Sequence, residues 1–481
     1  MEFIAYSLYI FAALLVAGMF ILALGVGLHF ENLVERYLVP LIPILIVLAS
    51  GASAVLSGRD VSLYGEVSGF MGAANPAGIW ILRLTTASVV GISVIVSFSC
   101  LMRQHMGSTH GRALFLAFAA FFTSCYIVSG ILGSEPSFLH SHFYAVIVFF
   151  AVYVTRNQDM DRFICWSRNG LNIFIFMGLV VGVLIPEVAV QKGYAGMIPG
   201  ISFRFWGLAS HANNLGPIAV VALLLLRWRP YRWVGLNILT AIAALTSLLL
   251  SQSKTALIAG AAALVVLLGY HVINVIRGTK ISQNITLAQL AWIAAPFFFA
   301  SSLLVGISIG IGSNVGDHLL ARFGEQASTF TGRDLIWSVT LREWEENPLF
   351  GYGPGLWGDE FAARQGFLGV ASNAHNQFVD VLGSSGLVGL ICFSAYLLLL
   401  LRYAGSLASR TGGISLAFAI FIFLRCITEV PLKTGNVTTP DFLIHFIFFG
   451  VLLRGISALS KVEDPIHGLR SPHPTRASFS S

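Results

Sequence analysis

Arg204, Lys254, Arg333 and His375 stand out in this chain by type and position. Each lies at the mouth of an apolar run or inside one long polar interruption, residues 312–373. Arg333 belongs to Thr331-Gly332-Arg333-Asp334, where Thr331 and Asp334 have the spacing of a capping box and so open a helix. A guanidinium in a first helical turn shares its place with unbonded backbone N–H groups and the positive end of the helix dipole. That combination suits a phosphate oxygen. His375-Asn376 stands at the mouth of the next apolar run. A neutral imidazole there can take a proton from a hydroxyl at ambient pH.

Two more clusters share this character. One is Arg204-Phe205-Trp206-Gly207 followed by His211-Ala212-Asn213-Asn214; the other is Ser251-Gln252-Ser253-Lys254-Thr255. Arg83 and Glu429 lie near the ends of apolar runs on the same side and form a candidate ion pair. Taken singly, each residue has an ordinary structural explanation: a loop ion pair for Arg333, a capping histidine, a lysine or arginine reaching along its stem to the lipid interface. The functional reading rests on their convergence. Outward cations at helix mouths, with Asn376, His211 and Glu429 in support, suit a multiply charged anion held at the membrane surface. Gly351-Tyr352-Gly353-Pro354-Gly355 alternates glycine, but no Gly-Lys-Ser/Thr follows, so a tight turn folding the loop back onto the membrane is expected there. Before it, Trp337, Leu341 and Trp344 take the i, i+4, i+7 spacing of one apolar helical stripe that ends at Asn347-Pro348.

These residues must be positioned by membrane helices. The 481 residues are 56% hydrophobic and 10% charged, with mean hydropathy +0.81, against about 25% charged in soluble domains. The expected fold class is all-α, a polytopic bundle of about 12–13 transmembrane helices with one long periplasmic loop carrying short helices. Apolar runs fall at 6–28, 38–57, 78–101, 113–133, 138–155, 171–190, 213–226, 233–250, 255–276, 288–311, 375–401, 413–425 and 440–458. The first is read as a retained span. Domains follow as 1–200, N-terminal helices; 201–311, helices bearing the Arg204 and Lys254 clusters; 312–373, the loop; 374–460, C-terminal helices; and 461–481, a disordered cytoplasmic tail rich in Pro and Ser. One set of alternate loops and the tail hold 17 Lys and Arg; the other short loops hold 5. The basic set is expected inside, which turns 312–373, Arg204, His211 and Lys254 outward. The net charge of +6 is spread over short loops and does not make a nucleic-acid footprint. The five cysteines lie in or beside apolar runs without a CxxC pair, and no HxxEH motif or His/Cys cluster points to a metal or cofactor. Asp359 and Glu360 are adjacent and so diverge on a helix, unlike a glycosidase carboxylate pair.

Five stretches, in order, carry a resemblance: RFWGLASHANNLG at 204–216, SQSKTALIAG at 251–260, TGRDLIW at 331–337, NPLFGYGPG at 347–355 and HNQFVDVLGSSGLVGL at 375–390. Together they resemble the O-antigen ligase and polysaccharide polymerase superfamily of bacterial inner membranes. The first 200 residues match only as apolar spans. The resemblance implies a metal-independent glycosyltransferase. It would move a glycan from an undecaprenyl-diphosphate-linked oligosaccharide to an acceptor hydroxyl, on a growing glycan or on lipid A-core, at the periplasmic face. It implies that Arg333 binds the diphosphate and that His375 is the base. Lys254 stands where the family usually has arginine; it keeps the charge and loses the bidentate fork. Polymerisation of an exopolysaccharide or O-antigen is the leading expectation and ligation to lipid A-core the alternative. From other classes, a secondary transporter would place ionisable residues at mid-membrane in repeated halves, and a non-catalytic scaffold would leave the outward bases unexplained.

Overall fold

The computed structural model describes residue 25 and residues 37–62, 75–102, 111–155, 160–276 (apart from 195, 197 and 199), 333–366 and 371–463. The apolar run expected at 6–28 (apart from residue 25), the run expected at 288–311, Thr331 of the capping box and most of the tail lie outside them. The helices are α1 (Val39–Leu56), α2 (Pro76–Met102), α3 (Arg112–Leu132), α4 (His140–Val154), α5 (Met160–Leu184), α6 (Ala212–Trp228), α7 (Val234–Ser251), α8 (Lys254–Ile276), α9 (Arg333–Glu346), α10 (Asp359–Arg364), α11 (Gln377–Ser406), α12 (Ile414–Thr428) and α13 (Pro440–Glu463). Seven of the described helices are long and apolar enough to cross a membrane, and the protein is an all-α polytopic membrane protein. Trp80, Leu84, Val183, Ile258, Val265 and Ile391 face outward, as a lipid-solvated surface requires.

The run expected at 171–190 is placed differently. The helix covering it, α5, starts at Met160 and ends at Leu184. The chain then turns at Pro186 and forms β1 (Val190–Lys192), which pairs antiparallel with β2 (Phe203–Phe205). The register sets Gln191 opposite Arg204. Proline two residues past the helix stop, opening a short turn Pro186–Ala189, and β-branched Val190 account for the change, and apolar content alone could not show it.

The helices pack α1 on α2 and α5, α6 on α7, α8 on α12, and α11 on α3, α9 and α12. Their centre is aromatic: Phe118 stacks on Phe149 at 4.2 Å, Phe149 contacts Phe449 at 4.6 Å, and the Tyr396 hydroxyl meets His445 Nε2 at 2.7 Å. The interior of a bundle in lipid gains little from hydrophobicity, so dense packing and paired polar groups must hold it.

The α11 helix is broken at Gly386 (φ 61°, ψ −163°), a conformation almost reserved for glycine. The backbone groups freed by the break are taken up by residues 348–353. Tyr352 N and Gly353 N donate to the carbonyls of Gly383 (2.9 Å) and Ser384 (3.0 Å), and Leu387 N and Val388 N donate to Pro348 O (2.9 Å) and Leu349 O (3.2 Å). On the other side, Ser134 N and Glu135 N donate to Gly351 O and Tyr352 O at 3.0 and 2.7 Å. The glycine-rich turn therefore does fold back, and it threads between the end of α3 and the break. A Cβ on Gly386 would lie 2.3 Å from the Leu349 carbonyl carbon.

Above the break, α9 and α10 form a cap with its own core of Ile336, Val339, Tyr352, Leu356, Trp357 and Phe361. The buried stripe of α9 is Ile336, Val339, Thr340 and Glu343, one step round from the expected Trp337, Leu341 and Trp344, which are half-buried. The tryptophans flank it because their indole N–H groups need acceptors: Trp337 donates to Ala374 O (2.7 Å) and Trp344 to Pro348 O (3.0 Å).

Gly386→Ala is expected to lower Tm and to open 348–353 to limited proteolysis. The backbone conformation alone costs about 1–3 kcal/mol, and the clash with Leu349 adds to it. A variant with the parent's Tm and protease map would refute this docking.

Candidate functional site

Glu429, at the C-cap of α12, joins the site together. Its Oε2 lies 3.1 Å from His375 Nδ1, and its Oε1 lies 3.4 Å from both Arg333 Nη2 and Asn213 Nδ2. Arg333 also donates to Thr428 O at 2.9 Å. Asn213 in turn accepts from Arg204, whose Nε donates to Ser251 O at 2.8 Å. One connected network thus links the hairpin strand β2, the α6 N-terminus, the turn before α8, the first residue of α9, the residue before α11 and the end of α12. Arg83, the expected partner of Glu429, is exposed and lies 5.5 Å from the Trp80 ring centroid instead. Arg333 and His375 fill the carboxylate's coordination sphere.

Burial pushes the Glu429 carboxyl up. The hydrogen bond and charge of His375, with the charges of Arg425 and Arg333, outweigh it and hold the group below the ordinary carboxylate value. An ionised carboxylate only accepts, so His375 Nδ1 donates to it. The neutral ring then presents Nε2 as a lone pair.

His375 does not begin the helix, as the sequence pattern implied. It precedes it, with φ 47°, and Asn376 is the N-cap, accepting from Phe378 N (2.9 Å) and Val379 N (3.1 Å). A left-handed histidine costs free energy and persists where its surroundings over-determine it. Here they do. His375 N donates to Asn373 Oδ1 (2.8 Å), Ala374 N to Asp380 Oδ1 (2.9 Å), Trp337 fixes Ala374 O, and Asn376 Nδ2 donates to Ile427 O (3.0 Å).

His211 caps α6, its Nδ1 accepting from Asn213 N at 3.1 Å, and its ring packs 4.6 Å from Trp206. Burial first, then the Arg204 charge, pull this imidazole down to about 4. It is therefore neutral and braces the site at neutral pH. Arg204 is buried, with its guanidinium 4.8 Å from the Tyr194 ring. Lys254 is half-buried and opens α8 directly after Gln252 (φ 48°) and Ser253, three residues past the carbonyl that holds Arg204. The structure thus brings Arg333, His375, Glu429, Asn376, Arg204 and His211 to one end of the bundle, with Lys254 on the adjoining turn. Asn213, Asp380 and Arg425 were not given roles from sequence. The signals present were an acid, Asp380, as the sixth residue of an apolar run and a base, Arg425, at the end of another.

Among the described residues no group of His, Cys, Asp and Glu is disposed to hold a metal ion. Cys100, Cys125, Cys165, Cys392 and Cys426 are all free.

Glu429→Gln is expected to destabilise the protein by about 2 kcal/mol, the cost of a broken ion pair discounted for the partly exposed Arg333 and His375. The carboxyl's folded value lies below the unfolded one, so its contribution is complete above the unfolded value and fades as pH falls through the folded value. The Tm gap between parent and variant should be full above the ordinary carboxylate value and should narrow as pH falls below it. A gap that stays the same from neutral pH down to acid unfolding would contradict this.

Residues 239–394 match the sequence profile of the family described as O-antigen ligase. The exopolysaccharide production protein ExoQ of Rhizobium meliloti (strain 1021) is 27% identical over 235 residues, covering 44% of this chain and 49% of ExoQ. The chain thus spans about half the length of that curated relative. The matched stretch runs from α7 through Lys254, Arg333 and His375 into α11, and over it the chain is similar to the O-antigen ligase-like superfamily.

Proposed function

We propose that this protein is a glycosyltransferase of the bacterial inner membrane, working at its periplasmic face. It takes a glycan from an undecaprenyl-diphosphate carrier and joins it to an acceptor hydroxyl. The observation that carries this reading is the Glu429 carboxylate lodged between Arg333 and His375. It is an anion held where the diphosphate and the base must meet. Arg333, with the first-turn N–H groups of α9, binds the diphosphate, and Lys254 at the start of α8 adds a second cation. Arg204 supplies positive charge from behind Asn213.

His375 Nε2 removes the proton of the acceptor hydroxyl, and that oxygen attacks the anomeric carbon. The bond to the diphosphate breaks on the opposite face, inverting the centre. The departing diphosphate is stabilised by cations already in place. His375 becomes imidazolium against Glu429, and the proton passes to solvent. No metal takes part in this scheme.

Polymerisation of repeat units into an exopolysaccharide is the favoured role, supported by the likeness to ExoQ, an exopolysaccharide production protein. Ligation of a finished chain to lipid A-core is the second reading, supported by the family described as O-antigen ligase. A deletion strain decides between them. Loss of long chains with single repeat units retained fits the polymerase; carrier-linked long chains that never reach lipid A-core fit the ligase. An unchanged glycan profile with lost solute uptake would mean a transporter.

Arg333→Ala and His375→Ala are expected to reduce transfer at least a hundredfold with membrane insertion intact. Lys254→Arg should retain activity, and EDTA should leave it unchanged. Full activity in both alanine variants, measured with purified lipid-linked oligosaccharide, would refute the assignment.

A further inference from the structure

A carboxylate facing one ring nitrogen orients an imidazole and also favours the imidazolium, yet a base must be unprotonated before it acts. Glu429 therefore both positions His375 and threatens to hold a proton on it. Binding of a diphosphate adds negative charge and deepens the problem, because Arg333 must then turn part of its charge to the phosphates. Something else has to balance Glu429.

Arg425 stands in the right place. It lies four residues before Glu429, one turn beneath it on the same face of α12. Its side chain is 1% exposed, so its charge is poorly screened and out of reach of substrate. One nitrogen, Nη2, donates to Asp441 Oδ1 at 3.0 Å; Nε and Nη1 have no hydrogen-bond partner among the described residues. A buried guanidinium with two unanswered donors is costly, and it cannot escape by losing its proton. Its retention at this depth calls for a role. The Arg425 charge is among those that hold the Glu429 carboxyl down, consistent with such a role.

We propose that Arg425 is a positioning residue: its permanent buried charge balances Glu429, so that the carboxylate orients His375 without keeping the ring protonated. The groups that face Glu429 are Arg333 from α9, His375 ahead of α11, Asn213 from α6 with His211 and Arg204 behind it, and Arg425 and Asp441 from below. Of the cations among them, Arg425 is the most deeply buried, and a bound anion does not recruit it. The inference rests on the transferase reading for its purpose and not for its geometry.

The test reads His375 directly. Diethyl pyrocarbonate modifies neutral imidazole, and mass spectrometry of the full chain in detergent follows His375 modification against pH. With Arg425→Gln, onset should move to higher pH by about one unit. Arg425→Lys should restore the parent's onset. Asp441→Asn, which frees the Arg425 charge, should move it to lower pH. If Arg425→Gln alone does not fold, Asp441→Asn and the double variant, which leaves no buried lone charge, carry the test. Onsets that match the parent in Asp441→Asn and in the glutamine variants, or shifts of one sign in Arg425→Gln and Asp441→Asn, would overturn the proposal. The expected opposite shifts in a protein that transfers no glycan would keep the charge balance and refute the transferase reading.

Discussion

One carboxylate sets the terms for this end of the molecule. Glu429 is nearly buried, and a buried anion is tolerated only when it is paired and hydrogen-bonded on its remaining lone pairs. It meets that demand with donors from α6, from α9 and from the residue ahead of α11. Those donors are far apart in sequence, and satisfying Glu429 brings them together. The same need draws Arg204 toward Asn213 and fixes the tautomer of His375. In the proposed reaction, stability and chemistry come from the same interaction.

The carboxylate works only if its donors are delivered rigidly, and the cap does this through backbone bonds more than through apolar burial. Residues 348–353 answer the amides and carbonyls exposed at Gly386, and Trp337 and Asp380 lock the two ends of the Ala374 peptide. His375 is held in a strained conformation because its neighbours on both sides are already committed. Non-helical backbone at this depth is possible because protein, and not lipid, surrounds it.

The all-α class and the apolar helices from α1 onward, α5 excepted, were legible in sequence because long apolar runs have few other solutions. Arg333 was legible as the opening of a helix, and Asn376 as a polar residue at a helix mouth. What hid was local or long-range. The β1–β2 hairpin starts at the end of an apolar run whose composition does not show where helix gives way to strand. The partner of Glu429 could not be read, because Arg83 and Arg333 are equally basic and only the tertiary path separates them. The break at Gly386 hid among Gly383, Gly386 and Gly389, which read alike until 348–353 is seen lying against the middle one.

The Gly386 break also bears on mechanics. Below it, α11 packs Phe393, Tyr396 and Leu400 into the bundle and turns Leu387, Ile391 and Leu398 outward, so bilayer thickness bears on its tilt. Above it, the short segment from Gln377 to Ser385 is stapled to the cap and to the end of α3, where the Ser129 hydroxyl donates to Ser384 O. The glycine is the point at which a change of tilt in the lower helix can be taken up without passing into the stapled segment that leads back to the imidazole.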